Sequence, residues 1–234
     1  MRKNVIITGQ PRSGKSTLLK KLVSGVEPKT GFVTSEIREG GQRVGFGIET
    51  HWGSRVTFAH VSFQTSHRVS RYAVDVGALE LVISQVSAFQ AGHLLYLDEI
   101  GQMQLFSKSF RRLVLKFFGS RNTCLATLSS VYRDDFTANL RGRDDIILVQ
   151  ITPDNREDQA KFVAELLRKV EKARRYISEP GRFTVSGSLL ELKSEHGVRH
   201  LSRNSVDGGW SCDCNFYGLH QVCSHVIAAE EFAK

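Results

Sequence analysis

An α/β fold built on a mainly parallel sheet, with a small β-rich module after it, is the architecture that this 234-residue chain predicts, and three observations carry the prediction. The first is Gly9-Gln10-Pro11-Arg12-Ser13-Gly14-Lys15-Ser16, a G-x-x-x-x-G-K-[ST] match. It stands between a β-branched run, Asn4 to Thr8, and an apolar stripe at helical spacing that begins after Thr17. The second is His93 to Leu97, a nearly continuous apolar run that suits a strand covered on both faces and ends in Asp98-Glu99. The third is a change of character after Ser178-Glu179-Pro180-Gly181, where short β-type runs lead to a cluster of Cys and His.

The residue types of the Gly-rich stretch follow from phosphate chemistry. Gly9 and Gly14 let successive backbone N–H groups point into one concavity, and the helix that begins near Lys15 adds its positive N-terminal dipole. Gln10, Pro11, Arg12, Ser13 and Thr17 complete the predicted nucleotide-binding loop. Lys15 is expected to reach the β- and γ-phosphates, and the Ser16 hydroxyl to ligate Mg²⁺. An acid at the carboxyl end of a central strand beside such a loop holds the same ion, so Asp98 is assigned to Mg²⁺. Glu99 is assigned to the attacking water, which makes Lys15, Asp98 and Glu99 the predicted catalytic set.

Composition restricts the remaining classes. A hydrophobic content of 41% supports a true core. No apolar run is long enough to span a bilayer, and the first residues lead straight into a strand instead of a signal peptide, so a cytoplasmic, non-membrane protein is expected. Four cysteines, three of them near the C-terminus, point to metal binding in a reducing compartment and away from a disulfide scaffold. Residues 1–150 hold 20 Lys and Arg against 12 Asp and Glu, whereas residues 151–234 hold 12 of each. The whole basic excess therefore lies with the nucleotide site.

Between these landmarks the elements follow in order. Phe32-Val33 and Ile37, then Val44, Phe46 and Ile48, flank Glu39-Gly40-Gly41-Gln42 and predict an inserted β-hairpin. Residues 78 to 89 form a helical stripe with Gly92 as its stop, 106 to 118 a second helix, and 123 to 128 a buried strand with Cys124 as a core residue. Arg133, Arg141 and Arg143 fall in the loop and turn region before a strand at 146–149. Any one of these three suits a cationic clamp on the phosphoryl group, and the sequence does not choose among them. A helix is expected from Arg156 to about Tyr176, capped by Asp154 or Asn155, with a basic end that reads as a solvated face.

Several of these stretches together resemble the THEP-type nucleoside-triphosphatases. They are Gly31-Phe32-Val33-Thr34-Ser35-Glu36-Ile37-Arg38 with Arg43-Val44-Gly45-Phe46, Val69-Ser70-Arg71-Tyr72-Ala73-Val74, Asp98-Glu99-Ile100-Gly101-Gln102-Met103, and Thr152-Pro153-Asp154-Asn155-Arg156. The resemblance extends through the helix at Arg156 and no further. It implies hydrolysis of ATP, GTP and other nucleoside triphosphates, and it adds Arg71, Asn155 and Arg156 as nucleotide contacts. The chain departs from the family pattern at Ser70, where a glycine is usual, at Gln104, where an acid is usual, and at Glu157, where Asp is usual.

The C-terminal cysteines are spaced C-x-C, eight residues, C-x-H, as Cys212, Cys214, Cys223 and His225. Three thiolates and an imidazole complete a tetrahedral Zn²⁺ set, and a closed set of four protein ligands marks a structural metal. Val226 to Ala229 predicts a short helix behind the second pair, while His196, His200 and His220 read as surface residues. The arrangement resembles the SWIM zinc finger, which implies a protein or nucleic-acid partner; the balanced charge of this part favours protein. The expected domains are 1–178 and 182–234. Two further classes remain open beside hydrolysis: a nucleotide or polynucleotide kinase, and a nucleotide-switched adaptor.

Overall fold

The computed structural model describes residues 2–186, 189–203 and 208–233, so the Gly187-Ser188 turn expected between two C-terminal strands lies outside the described residues. In chain order the first elements are β1 (Asn4–Gly9), α1 (Lys15–Ser24), β2 (Lys29–Glu39), β3 (Gln42–Thr50), β4 (Arg55–His60), β5 (Arg68–Val69), β6 (Tyr72–Val74), α2 (Val76–Val86) and β7 (Leu94–Ile100). They continue with α3 (Lys108–Gly119), β8 (Cys124–Ser129), α4 (Asp135–Arg141), β9 (Ile146–Gln150) and α5 (Arg156–Ser178). The last are β10 (Phe183–Ser186), β11 (Leu189–Ser194), β12 (Gly197–Arg203), β13 (Trp210–Cys212), α6 (Asn215–His220) and α7 (Ser224–Phe232).

Every residue of β1 and β8 is buried, as a near-continuous apolar run requires when helices cover both faces of a parallel sheet. Those strands are interior strands of the parallel half of a nine-stranded sheet of order β5-β6-β4-β3-β2-β7-β8-β1-β9. From β2 to β9 the neighbours are parallel. The other half is antiparallel and begins with the expected hairpin, β2 against β3. Strand β8 lies between β1, which carries the Gly-rich loop, and β7, which carries the acids. The two halves of the predicted site are thus one strand apart.

Local chemistry ends the helices. Asp75 caps α2 by accepting from the Ala78 N–H at 3.0 Å, and Ser107 caps α3 by accepting from the Phe110 N–H at 2.9 Å. α2 stops at Val86, short of the expected stretch to 89, because the Ser87 hydroxyl turns back to the Ile83 carbonyl at 2.6 Å. Phe89 then packs edge-on to Phe117, 5.2 Å away, and Gly92 serves the turn before β7 instead of the helix end. Strand β4, helices α4 and α6 and the 3₁₀ turn Gln104–Phe106 were not foreseen. Helix α4 replaces part of the expected loop, and it begins with a reciprocal Asp134–Thr137 cap. The core beneath the parallel strands contains Phe32, Phe58, Phe110, Phe117, Leu79 and the expected Cys124, all fully buried. Each large side chain there contributes about 1.5–3 kcal/mol of burial.

The described residues fall into two compact units: Asn4–Ala160, and the residues before Asn4 with those from Lys161 onward. The sequence draws the boundary after α5, whereas the compact units divide within it. The reason is visible in the second unit, where Tyr176 of α5 lies over the His225 ring at 5.9 Å, Phe162 against His220 at 4.7 Å, and Lys172 pairs with Glu195 at 2.9 Å. There the strands form an antiparallel sheet, β10-β11-β12-β13, and Leu190, Leu192 and Leu201 are buried with Val226 to Ala229 of α7. Among the described residues no helix is long and apolar enough to cross a membrane.

Candidate active site

The loop between β1 and α1 is shaped by two glycines. Gly14 has φ 94°, in the left-handed region, and a Cβ on it would lie 2.8 Å from the Arg156 side chain. Gly9 allows a close approach: a Cβ there would stand 2.4 Å from the Ile151 carbonyl oxygen. Between them the Ser13 N–H donates to the Gln10 carbonyl at 3.1 Å, which closes the turn. Lys15 opens α1 and is buried, and its Nζ donates to the Gly9 and Gln10 carbonyls at 3.1 and 3.3 Å. The same ammonium lies 3.6 Å from Glu99 Oε1.

Asp98 is fully buried at the carboxyl end of β7. Its Oδ1 accepts from the Ser16 hydroxyl at 2.9 Å and from the Thr127 hydroxyl at 2.6 Å, and its Oδ2 accepts from the Thr34 N–H at 3.2 Å. The Thr34 hydroxyl donates to the Asp98 carbonyl. Thr127 belongs to β8, so the intervening strand supplies a second hydroxyl donor to the Asp98 oxygen that Ser16 also reaches. Neither Thr127 nor Thr34 was singled out from the sequence. A hydroxyl in the otherwise apolar run of β8 was the signal available.

Burial pushes the Asp98 carboxyl up, against the hydrogen bonds from Thr127, Ser16 and Thr34, which pull it down. Glu99 is also pushed up by burial; the Lys15 charge opposes the shift and the Asp98 charge adds to it. A buried carboxylate facing a serine hydroxyl is a hard oxygen donor pair with a charge to be neutralised, and both properties fit Mg²⁺.

These groups line one cavity of about 840 Å³. Its loop-side wall holds Pro11, Arg12, Gly14, Lys15, Ser16 and Thr17, and its opposite wall holds Arg43, Phe46 and Phe58 of the antiparallel half. Buried Gln104, at the usual position of an acid, also lines it. Arg156 lies over Gly14, whereas Asn155 is committed to its own turn: its Oδ1 accepts from the Thr152 N–H at 2.8 Å and its Nδ2 donates to the Gln150 carbonyl at 3.2 Å. Arg71 is outside the cavity lining and donates to the Arg43 carbonyl. Ser70 keeps the left-handed backbone of a glycine, φ 53°.

In the second unit the ligand atoms of Cys212, Cys214, Cys223 and His225 lie within 4.8 Å of one another. Cys212 Sγ and Cys223 Sγ are 3.5 and 3.7 Å from His225 Nδ1. A tetrahedron with Zn–S bonds of about 2.3 Å has donors about 3.5–3.8 Å apart, so the set fits that ion. Cys212 is pushed up by its hydrogen bond with Cys223 and by burial, and Cys214 by burial, so a bound cation is what would favour the thiolates.

Residues 4–164 match the NTPase_1 family of NTPases. The nucleoside-triphosphatase THEP1 of Thermotoga sp. (strain RQ2) is 36% identical over 166 residues, covering 70% of this chain and 95% of that protein. The human cancer-related nucleoside-triphosphatase is 31% identical, over 67% of this chain and 92% of that protein. The crystal structure of THEP1 from the hyperthermophile Aquifex aeolicus matches with a TM-score of 0.63 at 31% identity, over 70% of this chain and 98% of that one. The family match over residues 4–164 and these relatives thus show that the chain belongs to the THEP-type nucleoside-triphosphatases and hydrolyses nucleoside triphosphates.

Proposed function

We propose that the chain hydrolyses nucleoside 5′-triphosphates, ATP and GTP among them, to the diphosphate and phosphate with Mg²⁺, and that its C-terminal Cys/His cluster is a structural zinc site in a partner-binding module. The observation that carries the first part is the 2.9 Å bond from Ser16 to Asp98 across β8, which puts the loop hydroxyl and the buried acid on one point. Those two groups would hold Mg²⁺, which when bound neutralises charge between the β- and γ-phosphates. The backbone N–H groups of the loop and Lys15 bind the phosphate chain, and Arg156 flanks the nucleotide from beyond Gly14. Glu99 accepts the proton of the attacking water. Its upward shift suits a base working near neutral pH, and the Lys15 contact keeps its ionised form available.

The second part rests on the ligand set and on the size of the unit, too small to be stable on a modest apolar core alone. The even charge of residues 151–234 supports a protein partner over bare nucleic acid. One observation favours a second reading, phosphoryl transfer to a molecule other than water: the cavity of about 840 Å³ that holds Glu99 is also lined by Arg43, Phe46 and Phe58, groups suited to contact an acceptor.

The test is phosphate release from the four ribonucleotides with no acceptor, with and without Mg²⁺. Wild type should release phosphate only with Mg²⁺. Glu99→Gln should bind Mg²⁺-nucleotide normally but turn over about 10²-fold more slowly, the scale of a general base. Lost binding with unchanged turnover per bound nucleotide would place the base elsewhere, and phosphate release only with an added acceptor would favour the kinase.

A further inference from the structure

Three arginines lie between β8 and β9, outside the cavity lining, and their surroundings differ. Arg143 is committed to Asp145, with Nε to Oδ1 at 2.8 Å and Nη2 to Oδ2 at 2.7 Å. Arg133 is exposed and follows Tyr132, which lines the cavity. Arg141 ends α4 and is half-buried; its Nη2 donates to the Ser129 carbonyl at 2.7 Å. Ser129 lines the cavity and faces Gly9 in the β1–β8 register. The other terminal nitrogen, Nη1, is buried without a hydrogen-bond partner, as is the hydroxyl of Ser130 beside it in sequence. Burial and the charge of Arg133 both work against the Arg141 cation.

A buried guanidinium N–H without an acceptor is costly, and a native fold retains one where a water, an ion or a ligand supplies the missing acceptor. Two arginines close enough to repel, with no carboxylate paired to either among the described contacts, mark a place for an anion. Arg141 is held to Ser129, which lines the cavity, so its guanidinium stands next to the cavity wall and has to turn toward the cavity to meet a phosphate oxygen.

We propose that Arg141 is the catalytic cation of the hydrolysis, its guanidinium fork leaving the Ser129 carbonyl to contact the phosphate chain when nucleotide binds. This rests on the hydrolytic reading above. In that step the water oxygen forms a bond to Pγ, its proton passes to Glu99, and the bond from Pγ to the bridging oxygen breaks with its electron pair going to the β-phosphate. Arg141 stabilises the negative charge that grows on the bridging and γ oxygens.

The experiment compares Arg141→Gln, Arg133→Gln and Arg143→Gln with wild type. Gln keeps an N–H for the Ser129 carbonyl and removes the charge, so a purely structural Arg141 would be spared. Arg141→Gln should lower kcat about 10³-fold while KM for Mg²⁺-nucleotide changes less than about 3-fold. It should bind ADP normally but lose at least about 10² in affinity for ADP with aluminium fluoride, a mimic of the transferring phosphoryl group. Arg143→Gln should leave kcat within about 3-fold. Should Arg141→Gln not fold, Arg141→Lys serves: it keeps donor and charge without the fork, and its kcat should still fall at least about 10-fold. A folded Arg141 variant with near-normal kcat, equal losses of both ADP complexes, or the large loss appearing in Arg133→Gln instead would overturn the proposal alone. A wild-type protein without turnover would overturn the hydrolytic reading with it.

Discussion

The Glu99 carboxyl lies 3.6 Å from the Lys15 ammonium and beside buried Asp98, and burial holds it above the ordinary glutamate value of 4.5. A base acts only when ionised, so the sign is fixed: as pH falls through the raised pKa, Glu99 takes up a proton and turnover declines. The acid limb of the kcat/KM profile should therefore lie above pH 4.5, and it should flatten in Glu99→Gln. A limb at or below that value in wild type would remove Glu99 from the role. Asp98 is raised by the same cause, burial, against the hydrogen bonds from Thr127, Ser16 and Thr34. Both hold protons more tightly folded than unfolded. Their ionised forms therefore cost stability near neutral pH, and that cost is relieved as pH falls through the raised values.

At the scale of the element, the β5–β6 connection shows how a departure from the family pattern is tolerated. Ser70 adopts φ 53°, a conformation that favours glycine, and Tyr72 is buried against Phe46 at 5.1 Å with Arg43 and Arg71 donating to its hydroxyl. The packing of Tyr72 holds the turn, and the serine accepts the strain. A left-handed non-glycine residue costs about 1–2 kcal/mol, while glycine loses about 0.4–1 kcal/mol more entropy on folding. Ser70→Gly should therefore stabilise the fold by about 0.5–1 kcal/mol, read as a higher urea midpoint with an unchanged m-value. A lower midpoint would mean that the serine does more than occupy the turn.

For the whole molecule, the family match ends at residue 164 and the Cys/His cluster lies beyond it, in a unit with its own small core. Metal binding in such modules is coupled to folding, with apparent free energies of about 10–16 kcal/mol in finger peptides. Metal analysis should give one zinc per chain, lost in Cys223→Ser together with the order of β10–β13. Basal hydrolysis with Mg²⁺ should persist, because the loop and its acids lie in the other unit. A zinc-free protein with an ordered C-terminal sheet would refute the ligand set; loss of hydrolysis in a mutant whose first unit stays folded would show that the labour is not divided this way.

What the sequence determined by itself is what contiguous residues decide: the loop from Gly9 to Ser16, the strand that carries Asp98-Glu99, the hairpin at β2–β3 and the spacing of Cys212, Cys214, Cys223 and His225. Each depends on local backbone geometry or on short-range periodicity, so neighbours in the chain are neighbours in the chemistry. Tertiary structure decided what depends on strand order. Inserting β8 between β1 and β7 set Thr127 beside Ser16 as a second donor to Asp98, and tertiary packing brought Arg141 onto the Ser129 carbonyl while Arg143 was taken by Asp145. It also spent Asn155 on its own turn and placed Arg71 on the Arg43 carbonyl. Ser16 and Thr127 meet Asp98 from 82 and 29 positions away, and no spacing rule reaches such pairs because strand order chooses the partner, whereas Arg143–Asp145 and Asn155–Thr152 are local turn contacts.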